Sequence, residues 1–296
     1  MNKVYVIAGI TASGKSNTAI QLAKKYNAEI ISADSVAVYK EFNIGSAKPT
    51  LKEQQGIKHH LIDIRSYSES YDVAQFQKEA RACIKEIQDR GKQVIVVGGT
   101  GLYLKALLFD YRFNDEPEIE IQVDEESDEA LYQKLVTYDP HAAQKLHPNN
   151  RKRVVRALSA YVRTQKTQQE RTDNQKDIQV IDADIYFLTG PREVMYERMD
   201  QRVEHMFESG LKEEVLALYQ NDTEFFMHQS AQAIGYREFK EYFLGNQDLD
   251  QTKALIKRDT RRFAKRQWTW FRHQMDINTI DITEANPFEE IVNSSF

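Results

Sequence analysis

Gly9-Ile10-Thr11-Ala12-Ser13-Gly14-Lys15-Ser16 reads G-x-x-x-x-G-K-[ST], the spacing of a phosphate-cradling P-loop. The run 4–8 before it is short, apolar and β-branched, as a buried parallel strand is. After it, Ala19, Ile20 and Ala23 fall at helical spacing, which predicts a helix starting near Lys15. A chance match or an ordinary strand-to-helix turn needs neither the full motif nor both flanks. The glycines let backbone N–H groups turn inward on an anion, and the helix N-terminus adds a favourable dipole. Lys15 then places a charge on a phosphate, and Ser16 offers a hydroxyl to Mg²⁺. The loop specifies a phosphate or diphosphate; by itself it names neither ATP nor a reaction.

Outward from the loop, 296 residues suffice for one large α/β domain or for a core with an insertion. A net charge of −5 argues against a uniformly basic nucleic-acid binder but leaves room for local basic surfaces. The single cysteine, Cys83, lies in a helical pattern, so neither an internal disulfide nor a cysteine zinc site is expected. A reducing, cytoplasmic setting fits this, with Cys83 as core filler. With a strand expected from residue 4, no signal or transit segment is expected, and no apolar run approaches membrane-spanning length.

Glu29-Ile30-Ile31-Ser32 reads as a second strand and runs into Asp34, which places that carboxylate on the rim that carries the P-loop. A helix cap or turn aspartate is an equal reading from spacing alone. His59-His60-Leu61-Ile62-Asp63 ends in a short apolar strand whose adjacent histidines point different ways, so structural roles are expected rather than a shared metal. Residues 72–90 form an amphipathic helix with Val73, Phe76, Ala80, Cys83, Ile84 and Ile87 as its apolar stripe, stopped by Gly91. Val94-Ile95-Val96-Val97 is the best buried strand. It ends in Gly98-Gly99-Thr100-Gly101, a second glycine turn that sets amides and the Thr100 hydroxyl on the same rim. That strand lacks the terminal acid of a simple Walker B strand, which counts against an ordinary ATPase.

The strand–helix alternation then breaks. Residues 115–129 hold nine acids and no base, the composition of a solvated connection. Helices are predicted over 129–137, 140–146 and 150–163, and 164–177 reads as polar and loose. The core resumes with a strand at 185–189, helices over 194–207, 211–219 and 231–244, a long helix over 251–273 and a last strand at 277–282. The 251–273 stretch carries eight bases against Asp259 alone, with Phe263, Trp268, Trp270 and Phe271 interleaved. So dense a one-sign stretch in an acidic chain suggests a polyanion, even with most of the aromatics facing the core. Residues 150–163 are similarly basic. The expected fold is α/β: a P-loop NTPase-like parallel sheet with helices on both faces, formed by 1–113 and 181–296, and a helical insertion domain over 114–180.

Several segments together resemble the tRNA dimethylallyltransferase family, also called tRNA isopentenyltransferases, of bacterial type. They are the P-loop, Ile31-Ser32-Ala33-Asp34-Ser35, Tyr39 with Ile44-Gly45-Ser46-Ala47-Lys48-Pro49, and 59–63. Further on come 97–103, His147-Pro148-Asn149-Asn150 with Arg153 and Arg156, Ala233-Ile234-Gly235-Tyr236-Arg237-Glu238, and Arg262-Phe263-Ala264-Lys265-Arg266-Gln267 with Thr269-Trp270-Phe271. They run in family order from residue 4 to about residue 273. Each piece is modest, and the ordered set is specific. Ile10 stands where Pro is common and Ser16 where Thr is common; neither harms phosphate binding. Ala37 stands where many members have Gln, which counts against a side-chain contact from position 37 to the adenine. With Cys83 as the single cysteine, a cysteine-rich extension like that of some eukaryotic relatives is not expected, which fits the bacterial type.

The resemblance implies transfer of a dimethylallyl group from its diphosphate to N6 of the adenosine 3′-adjacent to the anticodon, in tRNAs reading codons that begin with U. The loop 9–16 would hold a prenyl diphosphate rather than ATP, with Mg²⁺ at Ser16 and Arg192 or Arg237 as a further cation on the leaving pyrophosphate. Adenine N6 is a poor nucleophile and needs an acceptor for its proton, a role that suits Asp34, with Thr100 and Lys15 beside it. The tRNA would meet Asp34, Ser35, Val36, Ala37 and Thr100 at the site, and Arg153, Arg156, Arg261 and Lys265 on the basic helices. A monomer is expected. Rival readings are a P-loop nucleotide or small-molecule kinase, an isopentenyltransferase acting on free adenine nucleotide, and a non-catalytic RNA-binding regulator.

Overall fold

The computed structural model describes residues 3–113, 126–173 and 178–295. Most of the acidic run, within 114–125, and residues 174–177 lie outside them. By contacts the chain divides into 1–108 with 180–296, and a second unit of 109–179. The boundaries therefore fall at 108/109 and 179/180, rather than at 113/114 and 180/181.

The first unit is built on six parallel strands: β1 (Val4–Gly9), β2 (Ala28–Ser32), β3 (His59–His60), β4 (Gln93–Gly98), β5 (Ala183–Thr189) and β6 (Asn278–Asp281). Their order across the sheet is β3-β2-β4-β1-β5-β6. The helices of this unit are α1 (Lys15–Lys25), α2 (Val73–Asp89), α3 (Gly101–Leu108), α8 (Arg192–Glu208), α9 (Leu211–Asn221), α10 (Phe239–Phe243), α11 (Leu249–Gln274) and α12 (Pro287–Ser295). Alternate strand residues face opposite layers. Tyr5, Ile7, Ile30, Ile95, Tyr186 and Leu188 pack under α1 and α12, together with Ala19, Ile20, Leu22 and Ile291. On the other face Phe187 meets Trp268 and Phe271 of α11. Both faces are covered, which is why β1 reads as a continuous apolar run. Because every strand runs the same way, the turns after β1, β2, β4 and β5 emerge on one rim.

At the opposite rim, Glu29 is 3% exposed and accepts from His60, Arg90 and Lys92. Burial raises its pKa, but those hydrogen bonds outweigh burial and bring it down to about 2. His59 instead bonds the Ile57 carbonyl (2.9 Å), so both histidines are structural. Cys83 is half-buried on α2, and burial pushes its thiol up, away from nucleophile chemistry.

The second unit contains α4 (Asp128–Tyr138), α5 (Pro140–Gln144), α6 (Arg151–Thr164) and α7 (Gln168–Asp173). Leu131, Leu135, Ala142, Ala143, Val154 and Leu158 make its own small core.

Three local expectations are corrected. Residues 164–177 are not loose throughout, since α7 forms there behind a capping box in which Thr167 and Glu170 bond each other's amides (2.7 and 3.3 Å). The 59–63 strand is only His59–His60, because Leu61 and Asp63 take left-handed φ of 60° and 57°. The helix expected over 231–244 is reduced to α10. Gly235 sits at φ 95° with its amide on the buried Glu238 carboxylate (2.9 Å), so 233–238 turns back as a loop. Tyr236 plugs that loop into the core, stacked on Phe42 at 3.9 Å. The C-terminal α12 has no counterpart among the expected elements.

Candidate active site

The P-loop leaves β1 and reverses through two left-handed residues, Ala12 (φ 64°) and Gly14 (φ 85°). A Cβ at Gly14 would meet nothing within 4 Å, so the glycine serves conformation rather than space. Gly14 caps α1, and among the described residues no protein acceptor takes the amides of Gly14, Lys15 or Ser16. Such a run of free amides at a helix N-terminus is an anion cradle.

Two cations converge there. Lys15 reaches back to the Ile10 carbonyl (3.4 Å). Arg202, from α8, donates to the Thr11 hydroxyl (3.0 Å) and the Ser46 carbonyl (3.5 Å). Burial, and then the neighbouring guanidinium, bring Lys15 down to about 8, while Asp34 pulls the other way. Burial likewise lowers Arg202. Among the described residues neither cation forms a salt bridge. Two adjacent, desolvated, unpaired cations are costly to maintain, and an anion of high charge density relieves both.

A cleft of about 330 Å³ opens on one side of this pair and is lined by Asp34, Ser35, Val36 and Thr100. Its far wall is the 233–237 loop and the α11 residues Phe263, Arg266 and Gln267. A second cavity of about 630 Å³ opens on the other side, lined by Ala12, Gly14, Arg198 and His205. The two share Lys15, Ser16, Ala47 and Arg202.

Asp34 serves as both a turn residue and a cleft residue. Its Oδ1 accepts the amides of Val36 (2.8 Å) and Ala37 (3.3 Å), closing the turn after β2. Among the described residues Oδ2 has no partner. The Thr100 hydroxyl accepts the Ser35 amide (3.3 Å), tying the turn after β4 to the turn after β2.

Other expected residues are placed as follows. Thr11, Lys15 and Ser16 line the first cavity; Ala12 and Gly14 line the second. Gly9 and Ile10 are buried at the root of the loop, and Ser13 is 2% exposed with an unpartnered hydroxyl. Ala37 is buried at 4% exposure and lines neither cavity, so the expected contact from position 37 has no side chain in the cleft to make it. Arg192 lines neither cavity; its guanidinium lies over Tyr196 at 5.0 Å. Arg237 lines the cleft, but its nitrogens are committed to Glu238 and Asp259 (both 2.9 Å). The further cation at the phosphate loop is Arg202, which the sequence reading missed. Its available signal was Arg198 and Arg202, one turn apart on the helix after β5.

The basic helix is less basic than its composition. Lys253 and Lys257 pair with Glu204, Arg258 with Asp259, and Arg261 with Asp200 (2.6 Å). Arg261 is thus a clamp between α11 and α8. Lys265 and Arg266 are exposed with no ion pair among the described residues. In the second unit, Arg153 and Arg156 are exposed on α6, likewise without ion pairs.

Among the described residues no group of three His, Cys, Asp or Glu side chains could hold a metal ion. Ser16 is exposed at the meeting of the cavities, so a hard cation fits there only together with diphosphate oxygens and water. Also among the described residues, no helix is long and apolar enough to cross a membrane.

A parallel sheet with a P-loop, a cationic anion cradle and an open carboxylate facing it defines a P-loop protein of the group-transfer class. The family model described as IPP transferase matches residues 37–274. A tRNA dimethylallyltransferase of Anoxybacillus flavithermus is 45% identical over 294 residues, covering 98% of this chain and 94% of that one. A crystal structure of a tRNA Δ(2)-isopentenylpyrophosphate transferase from Staphylococcus epidermidis is 36% identical, with TM-score 0.75 and coverage of 99% and 98%. A eukaryotic dimethylallyltransferase captured acting on tRNA gives TM-score 0.82 at 35% identity, covering 96% of this chain and 75% of that one. The chain belongs to the tRNA dimethylallyltransferase family, and it is a prenyltransferase.

Proposed function

We propose that the protein transfers the dimethylallyl group of dimethylallyl diphosphate to N6 of the adenosine 3′-adjacent to the anticodon, in tRNAs reading codons that begin with U. One observation carries this reading: two cavities meet at Lys15, Ser16 and Arg202, and only one of them also holds Asp34. The donor diphosphate occupies the meeting point. The acceptor base enters from the Asp34 side.

The allylic C–O bond breaks with its electron pair leaving on pyrophosphate. Lys15, Arg202 and the amides of 14–16 receive that charge in a desolvated setting, where fixed donors act most strongly. The new bond joins the allylic carbon to N6, and the proton lost from N6 passes to the free Oδ2 of Asp34. Oδ1 stays on the Val36 and Ala37 amides, so the base is held in one orientation. The Thr100 hydroxyl stands beside it. The Ser16 hydroxyl, together with diphosphate oxygens, would hold Mg²⁺, which would supply further charge neutralisation.

Arg153 and Arg156 in the helical insertion, and Lys265 with Arg266 on α11, contact the phosphates of the anticodon stem-loop. The protein acts in the cytoplasm as a monomer. The test is incubation of unmodified tRNA with protein, Mg²⁺ and dimethylallyl diphosphate, followed by mass spectrometry of the nucleosides. N6-dimethylallyladenosine without added ATP supports the proposal. Turnover of ATP with no prenylated nucleoside would make the protein a kinase, and prenylation of free adenine nucleotide but not tRNA would change the acceptor.

A further inference from the structure

Helix α11 buries one stripe, Thr252, Ile256, Ala264, Gln267 and Phe271. These positions repeat at helical spacing, as a core-facing stripe does. Gln267 is out of character there. It is 5% exposed and carries an amide that must be hydrogen-bonded at both ends to be tolerated. Both ends are satisfied, each by the backbone of a different glycine turn. Oε1 accepts the Thr11 amide of the P-loop (3.0 Å), and Nε2 donates to the Gly99 carbonyl of the turn after β4 (3.0 Å). The approach is so close that a Cβ at Gly99 would lie 2.2 Å from Nε2. Strands β1 and β4 are neighbours, so one side chain cross-ties the two turns where they leave the sheet.

The two turns carry different halves of the site. Thr11 precedes the left-handed Ala12 and receives Arg202 on its hydroxyl, so its setting governs the phosphate cradle. Gly99 precedes Thr100, whose hydroxyl accepts the Ser35 amide and so fixes the Asp34 turn. We infer that Gln267 is a positioning residue that sets the separation of the phosphate cradle from the Asp34 carboxylate. It stands in the wall of the cleft and acts through Thr11 and Gly99, to which both ends of its amide are bonded. This rests on the reading of Asp34 as the acceptor-side base. Its removal should cost most in the chemical step, because displacements near 1 Å at reacting groups cost on the order of 100-fold in rate.

Gln267→Met keeps length and volume and removes both hydrogen bonds. Gln267→Glu keeps the acceptor for Thr11 but loses the donor to Gly99. The measurements are single-turnover transfer at saturating dimethylallyl diphosphate and tRNA, tRNA dissociation constants, and binding of dimethylallyl diphosphate alone by calorimetry. Transfer in Gln267→Met should fall about 10- to 100-fold, with tRNA affinity within about twofold of the parent. Gln267→Glu should fall between the two. If Gln267→Met does not fold, Gln267→Glu alone decides: a transfer rate equal to the parent overturns the inference, and a loss of about tenfold at unchanged tRNA affinity sustains it. Parental rates in both variants, or losses that track melting temperature and vanish on cooling, would make Gln267 a core residue only. Should the parent itself not prenylate tRNA, the functional reading fails. The inference then stands or falls on whether the variants weaken donor binding, which needs no turnover.

Discussion

Diphosphate binding should carry a pH signature set by Lys15. In the free protein, burial and the adjacent Arg202 hold this amine at about 8. A bound diphosphate supplies the missing counter-charge and returns Lys15 to the ammonium form. Binding therefore takes up a proton wherever free Lys15 is neutral, and affinity falls as pH rises through about 8. From the titration curve, Lys15 is about 90% charged at pH 7 and about 10% charged at pH 9, so affinity should drop about tenfold between them. Near pH 8 about half a proton should be taken up per donor bound. The assay is calorimetry with dimethylallyl diphosphate in buffers of different ionisation enthalpy. Lys15→Arg is the control, because a guanidinium keeps its proton throughout and should flatten the profile. A flat profile in the parent, or an equal slope in Lys15→Arg, would refute the assignment of Lys15 as a desolvated cation at the diphosphate.

Asp34→Asn keeps the turn acceptor but not the base, so single-turnover transfer should fall ~10²–10⁴-fold while donor and tRNA binding hold; a parental rate would leave Asp34 a turn residue only. Arg202→Met should weaken donor binding by about 30-fold or more, the loss of one partner from a buried charge cluster, whereas Arg192→Ala should change it little; equal effects would restore Arg192 to the site. Glu29→Gln should cost on the order of 3 kcal/mol of stability at neutral pH. Glu29 is held at about 2 against a usual 4.5, so its contribution is full above pH 4.5 and lost as pH falls toward 2. The gap between Glu29→Gln and the parent in denaturant melts should close over that window. Replacing Arg153 and Arg156 by Glu should weaken tRNA binding and reduce the salt slope by about 2 or more, one for each phosphate no longer neutralised; an unchanged slope would take α6 off the RNA.

The order of β1, α1, β2, α2, β4 and α3 was legible because each buried strand is short, apolar and followed by a helix of clear period. The glycine turns that end β1 and β4 could be placed on one rim for the same reason. What was not legible depends on distance in the fold. Arg198 and Arg202 mark a basic turn of the helix after β5, but they do not say that the Arg202 guanidinium lands on Thr11, 191 residues away. Gln267 stands in a segment that resembles the family, but its two-ended hydrogen bonding exists only once α11 lies across β1 and β4. The 231–244 helix failed for a local reason. Its apolar spacing is helical, yet Gly235 and the buried Tyr236 serve a loop that forms a wall of the cleft.

Charge shows most plainly why composition and surface differ. Along the chain, 251–273 is a stripe of eight bases against one acid. In the fold, Asp200 and Glu204 of α8 approach that stripe and take Arg261, Lys253 and Lys257. Asp259, the stripe's own acid, takes Arg258 and also Arg237 from the cleft wall. The pairs to α8 lock α11 onto the helix that delivers Arg202 to the diphosphate cradle. The same helix α11 inserts Gln267 between the glycine turns. Part of what reads as RNA-binding charge therefore sets two helices in register behind the site. Of the stripe's eight bases, Lys265, Arg266 and Arg272 are exposed with no ion pair among the described residues, and Arg266 lines the cleft that also holds Asp34.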